Sequence, residues 1–420
     1  MQNRSLVLFT NKYPYGSEIF LENELKSISG HFVNIIIIPS TEGENVVRYL
    51  PENATTENGY ARFIASSDFS KKRMFIYGLR LLFSSGFFLR QVIRKPLTYA
   101  HPKAIKRLLL WMGRSAILSK WILSFIQNEN IDPHHTVFYS YWLNFNAVAL
   151  SILRKKGIKI KIVSRAHGFD LYDERSPWPH VSCKFEVLPQ LMKVFPISLD
   201  GYQYLKRYYP LYDNKYQVSR LGVTDPRHNT FYSQDSAVIK ILSASNVIDI
   251  KRVTLILEAL YVLAKTNTTI HFYWDHYGDG PKMKELVLLN NQNSFENLTV
   301  KLHGRVPNER VHHHYSEADI DVFINVSKFE GIPFSIMEAH SYGVPVIATN
   351  VGGTLEIVNN ENGLLLDSNP SPGLVAKAIL DVCENREKWI RKRTLSKENW
   401  SLNFNAEHNF ELFAKTIREL

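Results

Sequence analysis

The stretch from residue 320 to residue 348 contains, in order, Ile320-Asp321-Val322-Phe323-Ile324-Asn325, then Phe329-Glu330-Gly331-Ile332-Pro333-Phe334-Ser335-Ile336-Met337-Glu338-Ala339, then Val344-Pro345-Val346-Ile347-Ala348. The first and last segments are short and apolar, as buried parallel strands are. Ser335 and Glu338 have the spacing of a capping box, which predicts a helix that begins at Ser335 and ends at Gly343. The stretch therefore predicts a strand, a helix and a second parallel strand, the repeating unit of an α/β fold.

Two carboxylates flank the start of this helix. Glu330 lies in the loop after a strand, at the edge where open α/β sheets bind ligands. Glu338 lies eight positions later, about one turn into the helix, whose N-terminal amides and dipole favour an anion such as a diphosphate. The spacing alone leaves open whether Glu338 only completes a capping box and Glu330 is a solvated loop residue.

Apolar, β-branched segments alternate with helical segments along the chain, which is typical of parallel α/β layers. Six such segments, the last at 216–221, precede a polar linker at 223–229, and six follow it. A chain of 420 residues exceeds what one hydrophobic core normally serves. We expect two doubly wound Rossmann-like domains that face a cleft, with residues 1–228 in the first and 229–420 in the second.

The composition excludes several classes of protein. Apolar residues make up 45% of the chain and charged residues 21%, which indicates a folded globular protein. The two cysteines, Cys183 and Cys383, are too few for a disulfide framework, so a reducing compartment is expected. No secretory signal is recognised at the N-terminus, and no uncharged apolar run approaches the roughly 20 residues that span a membrane. We therefore expect a cytoplasmic protein.

The net charge of +10 is concentrated in the segment 71–120, which contains twelve Lys and Arg residues and no Asp or Glu. Bulky apolar residues, among them Phe87, Phe88 and Trp111, are interleaved with the basic ones. This pattern predicts peripheral contact with an anionic membrane surface. The alternative is that the segment forms helices that cover a sheet and have their basic faces in solvent. No recognition motif accompanies the charge, so nucleic acid is not an expected partner.

Three consecutive histidines, His312, His313 and His314, raise the question of a metal site. Consecutive residues on a helix point in different directions, so the three rings cannot share one coordination sphere. We expect no metal-binding residues.

Four further motifs accompany the two glutamates: Tyr13-Pro14-Tyr15-Gly16-Ser17-Glu18, Arg165-Ala166-His167-Gly168-Phe169-Asp170, Ser245-Asn246-Val247-Ile248-Asp249-Ile250-Lys251-Arg252-Val253 and Tyr277-Gly278-Asp279-Gly280-Pro281. In this order and spacing, over nearly the full chain, the sequence resembles the retaining, nucleotide-sugar-dependent glycosyltransferases of group 1 (family four). It is most similar to members that build bacterial capsular and exopolysaccharide repeat units. The resemblance implies the two-domain GT-B fold, with the C-terminal helix crossing back to the first domain.

The resemblance also implies an activity: a hexosyltransferase that moves a sugar, with retained configuration, from a nucleotide diphosphate sugar to a lipid-linked saccharide. UDP is favoured over GDP as the donor nucleotide, and no metal or other cofactor is expected. The implied location is the inner face of the plasma membrane. Two alternatives stay open: another GT-B activity, such as a nucleotide-sugar epimerase or a glycan phosphorylase, and a non-catalytic scaffold that binds sugar nucleotide.

The resemblance assigns roles to particular residues. The implied catalytic residues are Glu330, His167, Lys251 and Arg252. The implied donor-binding residues are Glu338, Phe334, Ser335, Gly16, Arg305, Val306, Gly331 and Asn246. The implied acceptor-binding residues are Tyr15, Ser17 and Glu18, of which Glu18 could instead order its own loop.

Each implied role has a chemical reason. Lys251 and Arg252 supply positive charge to the departing diphosphate, and Glu338 accepts from the ribose hydroxyls. The sequence departs from the family at Asn246, where an arginine is usual, and Arg252 is expected to take over that arginine's role. Gly352 and Gly353 are expected to allow a close approach of the backbone.

Overall fold

The computed structural model describes residues 4–16, 18–43, 48–66, 70–84, 93, 100–173, 183–233 and 235–420. The chain divides into two compact units: the first consists of Met1–Arg220 with Glu407–Leu420, and the second is Leu221–Ala406. The predicted boundary at 228 therefore lies eight residues too far along the chain. The prediction counted the terminal helix with the second domain, but from Glu407 onward this helix belongs to the first unit. This agrees with the expectation that the helix crosses back.

The first unit is built on a parallel sheet that has six strands in the described residues, in the order β3-β2-β1-β4-β5-β6. The strands are β1 (Ser5–Thr10), β2 (Asn34–Pro39), β3 (Ala54–Thr56), β4 (Thr136–Ser140), β5 (Lys161–Ala166) and β6 (Lys193–Pro196). The sequence did not predict the short edge strand β3. The segment 216–221, which was predicted as a strand, forms only a single bridge, between Val194 and Tyr216.

Helices pack against this sheet and precede or follow its strands. Their bounds are Ile19–Ser29, Gly59–Ala65, Lys71–Ser84, Pro102–Asn128, Phe145–Lys155, Gly168–Leu171, Lys184–Val187, Leu199–Tyr208 and the terminal Ala406–Glu419. Short 3-10 turns lie at Leu188–Gln190 and Pro210–Lys215.

The second unit repeats the same plan. In its described residues the sheet has six parallel strands in the order β12-β11-β10-β7-β8-β9. The strands are β7 (Val238–Ala244), β8 (His271–Tyr277), β9 (Leu298–Gly304), β10 (Val322–Asn325), β11 (Val346–Thr349) and β12 (Gly363–Leu366). The helices are Val253–Thr266, Met283–Gln292, Asn308–Glu317, Phe334–Ser341, Pro372–Glu384 and Arg386–Asn403, with a 3-10 turn at Gly352–Glu356. The strand order reverses between β7 and β10, so the loops after these two strands open a crevice at the carboxyl edge.

One helix among the described residues, Pro102–Asn128, is long and apolar enough to cross a membrane by length and composition alone. Most of its apolar window is buried inside the protein. It packs so tightly on the helix Lys71–Ser84 that a Cβ on Gly113 would lie 1.8 Å from the carbonyl oxygen of Met74. The helix therefore has the contacts of a core helix of the first unit.

A fully buried ion pair explains why the terminal helix belongs to the first unit. Arg165 Nε lies 3.0 Å from Glu24 Oε2, and both side chains are wholly buried. The Tyr139 hydroxyl donates to Glu24 Oε1 at 2.7 Å. Phe413, from the terminal helix, covers the guanidinium, with its ring centroid 4.0 Å from Arg165 Cζ. Phe413, Ala414 and Ile417 are buried in the same apolar cluster as residues of β1, β2 and β4, so the terminal helix completes the core of the first unit.

Replacing Phe413 with Ala is expected to lower the free energy of unfolding of the first unit by about 3–5 kcal/mol, since a buried ring leaves a cavity. Leu412→Ala is the matched control, because Leu412 is the preceding residue and is 57% exposed. Its expected effect is within about 0.5 kcal/mol. Urea denaturation of both variants measures the difference. Equal losses would contradict the packing of the terminal helix described above.

Candidate active site

A pocket of about 410 Å³ lies at the carboxyl edge of the second sheet, where the loops after β7 and β10 meet. This is the crevice where the strand order reverses, the place where open α/β sheets bind ligands. Seven of the predicted site residues line it: Asn246, Lys251, Arg305, Val306, Glu330, Phe334 and Ser335. The structure therefore brings together most of the predicted residues of the second unit.

Glu330 is the most constrained side chain of this pocket. It is buried, and its Oε1 accepts from Lys251 Nζ at 2.5 Å, from Ser327 Oγ at 2.7 Å and from Asn325 Nδ2 at 3.1 Å. Charge-assisted hydrogen bonds of this kind are roughly twice as strong as neutral ones. The carboxylate is therefore fixed in orientation and paired with a cation that also lines the pocket.

The backbone behind Glu330 is held by two glycines. A Cβ on Gly352 would lie 2.1 Å from the carbonyl oxygen of Glu330, and one on Gly353 would lie 2.0 Å from that of Gly331. Gly353 N–H also donates to the Gly331 carbonyl at 3.0 Å. Gly352 has a φ of +49°, which L-residues with a side chain rarely adopt. The close approach predicted for these glycines is present, and its partner is the loop that carries Glu330 and the predicted site residue Gly331.

Glu338 lies in the helix Phe334–Ser341 but does not form the predicted capping box. The N-cap residue is Pro333, which makes no side-chain cap bond, and Ser335 is already inside the first turn. Proline has no side-chain acceptor, so the box cannot form at this position. The Glu338 carboxylate instead accepts from Asn308 Nδ2 at 3.0 Å. Burial raises the pKa of Glu338, and the hydrogen bond from Asn308 opposes this rise.

Arg252 is not in the pocket that contains Glu330. Its guanidinium donates to four oxygen atoms: the carbonyls of Val326 at 2.6 Å, Ser327 at 3.1 Å and Ser368 at 2.9 Å, and Asn369 Oδ1 at 2.9 Å. It lines a separate pocket of about 320 Å³. The structure gives Arg252 a role in tying two loops together, so the described geometry does not support the predicted contact with diphosphate.

Two of the predicted first-unit residues, Tyr15 and Glu18, lie after β1. Glu18 Oε2 accepts from the backbone N–H of Lys12 at 2.9 Å and of Tyr13 at 2.7 Å. Glu18 Oε1 accepts from Trp142 Nε1 at 2.7 Å. These bonds favour the loop-ordering role of Glu18 over an acceptor contact. Tyr15 Oη accepts from Asn58 Nδ2 at 2.5 Å.

Gly16, Ser17 and His167 complete the predicted first-unit set. A Cβ on Gly16 would lie 2.6 Å from Lys12 Cβ, so the glycine serves a tight turn of its own loop. Ser17 lies outside the described residues. His167 follows β5 and is buried, with its ring centroid 4.4 Å from that of Trp142. The structure therefore places His167 in an aromatic cluster.

The three histidines point in different directions, as predicted. Their partners are Asn308 for His312, Glu317 for His313 and Tyr277 for His314. Within the described part of the chain, no group of three or more His, Cys, Asp or Glu residues is placed to hold a metal ion.

Sequence reasoning missed three residues that hold the site together. Asn325 and Ser327 donate to Glu330, and Asn308 donates to Glu338 while lining the pocket. Asn325 is the last residue of β10 and Ser327 lies two residues after it, so polar residues at a strand end were a signal that could have been used. Asn308 is distant in sequence from Glu338, and no local pattern links them.

Comparison with known proteins identifies one domain of the chain. The sequence profile described as "Glycosyl transferases group 1" matches residues 239–385. The amylovoran biosynthesis glycosyltransferase AmsK of Erwinia amylovora is 22% identical over 386 residues, which cover 88% of this chain and 89% of AmsK. Residues 239–385 form a group 1 glycosyltransferase domain.

Solved structures show the fold of this glycosyltransferase. Anabaena HepE in complex with UDP and glucose superposes with a TM-score of 0.64 at 16% identity, covering 99% of each chain. The sucrose-phosphate synthase of Thermosynechococcus elongatus superposes with a TM-score of 0.66 at 14% identity, also covering 99% of each chain. At these identities the likeness shows the fold alone, and it confirms the predicted GT-B fold.

Replacing Gly353 with Ala is expected to reduce nucleotide-sugar turnover by about 100-fold, because a new Cβ displaces the loop of Glu330 and small misplacements carry large rate costs. Gly373→Ala is the control, since the nearest atom to its Cβ would be 3.9 Å away. Release of nucleoside diphosphate measures turnover in both variants. Wild-type turnover in Gly353→Ala would show that the glycine does not set the position of Glu330.

Proposed function

We propose that this glycosyltransferase moves a sugar, with retained anomeric configuration, from a UDP-sugar to a lipid-linked saccharide in the synthesis of a cell-surface polysaccharide. The observation that carries the proposal is the pocket of the second unit, where Lys251, Glu330 and the start of the helix Phe334–Ser341 meet. Two comparisons support the choice of substrates: AmsK is named for amylovoran biosynthesis, and HepE was crystallised with UDP and glucose.

The leaving group explains why a cation and a helix start lie together. When the anomeric C–O bond breaks, its electron pair goes to the diphosphate, which gains negative charge. Lys251 Nζ can be shared between Glu330 and a phosphate oxygen, since an ammonium has three N–H donors. Phe334 and Ser335, at the start of the helix, line the same pocket. We propose that their backbone N–H groups add fixed donors.

Glu330 is proposed to act on the sugar by charge and hydrogen bonding. Its Oε1 already accepts three hydrogen bonds, which favours a fixed electrostatic role over nucleophilic attack. In the proposed step the acceptor hydroxyl attacks the anomeric carbon on the face that the diphosphate leaves, and its proton passes to a diphosphate oxygen. The configuration is then retained, which the anomeric proton coupling of the product tests by NMR.

Replacing Glu338 with Ala is expected to weaken UDP binding by about 2–4 kcal/mol, because its carboxylate is proposed to accept from the ribose hydroxyls. Glu317→Ala serves as the control, since Glu317 is 67% exposed and pairs with His313. Isothermal titration calorimetry measures both affinities. Unchanged affinity in Glu338→Ala would remove the ribose assignment, and an absence of UDP binding in the wild type would remove the proposed function.

Independence of metal ions is part of the proposal, because Lys251 and the helix amides are expected to neutralise the diphosphate. Sugar transfer should therefore continue at its full rate in excess EDTA. A loss of activity that Mg²⁺ or Mn²⁺ restores would show that this charge balance is incomplete.

Attachment to an anionic membrane, at the cytoplasmic face, is proposed for the first unit. The outer side of the helix Lys71–Ser84 exposes basic residues next to Phe75 and Ile76, which are 37% and 38% exposed. Its inner side packs on the helix Pro102–Asn128. Basic and aromatic residues on one exposed helix face suit the headgroup region of a bilayer. The predicted membrane residues Phe87 and Phe88 lie outside the described residues.

Changing Lys71, Lys72 and Arg80 together to Gln is expected to weaken binding to anionic vesicles at least about ten-fold, since each near-surface charge contributes about 1 kcal/mol. The control changes three exposed lysines of the second unit to Gln, so that the loss of charge is the same: Lys265, Lys284 and Lys301. Liposome co-sedimentation at low and high salt compares the two. Equal binding by both variants, or wild-type binding that ignores lipid charge, would reject the membrane proposal.

A further inference from the structure

We propose that Asn308 and His312 are positioning residues that hold the carboxylate of Glu338 in the orientation that grips the ribose of the donor. The inference rests on the proposed donor site. It assigns a role to one member of the histidine triplet and to an asparagine one helical turn before it.

Asn308 connects Glu338 with His312. Its Nδ2 lies 3.0 Å from Glu338 Oε1 and 3.0 Å from His312 Nε2. An ionised carboxylate only accepts hydrogen bonds, so the amide nitrogen, and not the amide oxygen, must face Glu338. Both N–H groups of the amide are then used, one on the carboxylate and one on the imidazole.

The same geometry fixes the tautomer of His312. Because Nε2 accepts from Asn308, the ring proton belongs on Nδ1, which lies 3.0 Å from the Tyr342 hydroxyl. Tyr342 in turn stacks on the buried ring of Tyr315, with centroids 4.7 Å apart. A chain of contacts thus runs from the carboxylate to two packed aromatic rings, which removes rotational freedom from each link.

The position of Glu338 makes this support necessary. Its side chain is 15% exposed, and a carboxylate with few hydrogen-bond donors in such a place tends toward the neutral acid. A neutral acid is a weaker acceptor for two ribose hydroxyls than a carboxylate is. Asn308 donates a hydrogen bond to Oε1 of Glu338. His312 accepts from the same amide nitrogen and so holds the amide in the orientation that makes this bond.

The helix Asn308–Glu317 also supplies its own control. Asn308 and His312 are four residues apart, so they lie on the same face of the helix. His313, the next residue, is 67% exposed and pairs with Glu317 at 3.1 Å. His312 therefore contacts Asn308, which binds Glu338, whereas the adjacent His313 pairs with Glu317.

The test measures the affinity of the full-length protein, by isothermal titration calorimetry, for UDP and for 2′,3′-dideoxy-UDP, which lacks the ribose hydroxyls. Asn308→Ala is expected to weaken UDP binding about ten-fold or more and His312→Ala about three- to ten-fold, in keeping with the loss of hydrogen bonds to a charged group. His312→Gln keeps an acceptor for Asn308 and should recover most of the loss, and His313→Ala should bind UDP like the wild type.

The dideoxy nucleotide separates positioning from folding. All variants are expected to bind it with the same affinity as the wild type. The Glu338 carboxylate, which Asn308 and His312 position, has no ribose hydroxyl to accept from in this nucleotide. Equal UDP affinities for His312→Ala and His313→Ala would overturn the inference, as would an equal loss for both nucleotides. If Glu338→Ala itself leaves UDP binding unchanged, the proposed donor site fails, which is a different result from failure of the positioning role.

Discussion

The contact between Lys251 Nζ and Glu330 Oε1, at 2.5 Å, is the interaction on which the site depends. It joins the loop after β7 to the loop after β10, the two strands between which the order of the second sheet reverses. A cation and a carboxylate that are partly withdrawn from water attract each other more strongly than on an open surface. The pair therefore holds the two loops together and keeps the Lys251 ammonium at the pocket, where we propose that its remaining N–H donors bind a diphosphate.

The rest of the second unit supports that contact. Ser327 and Asn325 donate to the same oxygen of Glu330, and Gly352 and Gly353 let a neighbouring turn press against its backbone. Arg252 binds the carbonyls of Val326 and Ser327 and so holds the same loop from the other side. A fixed arrangement matters because donors that are already in place stabilise a developing charge without reorganisation.

The sequence predicted what local patterns determine. Most of the apolar strands and the helix after Glu330 follow from periodicity and from the parallel topology and are present, whereas 216–221 forms only a single bridge. The role of Lys251 followed from the resemblance to the family. The capping box at Ser335 failed because Pro333 occupies the N-cap. The sequence alone does not show which residue is the N-cap, so the absence of the capping box could not be predicted.

Other features depend on contacts between residues distant in sequence. The guanidinium of Arg252 turns to carbonyls more than 70 positions away, and Asn308 meets Glu338 across 30 positions. The terminal helix joins the first unit because Phe413 covers Arg165. Motif spacing carries no information about such pairs. Resemblance to a family supplied residue types for the site, but it could not show which cation faces the pocket.

Hydrogen–deuterium exchange of the full chain with and without UDP tests the central claim most directly. UDP is expected to slow the exchange of backbone amides in 245–252 and 330–341, the segments that carry Lys251, Glu330 and Glu338. No change is expected in the helix Met283–Gln292, which begins beside the separate pocket that Arg252 lines. Protection confined to that helix, with none in 330–341, would show that UDP does not bind in the pocket that Lys251 and Glu330 line.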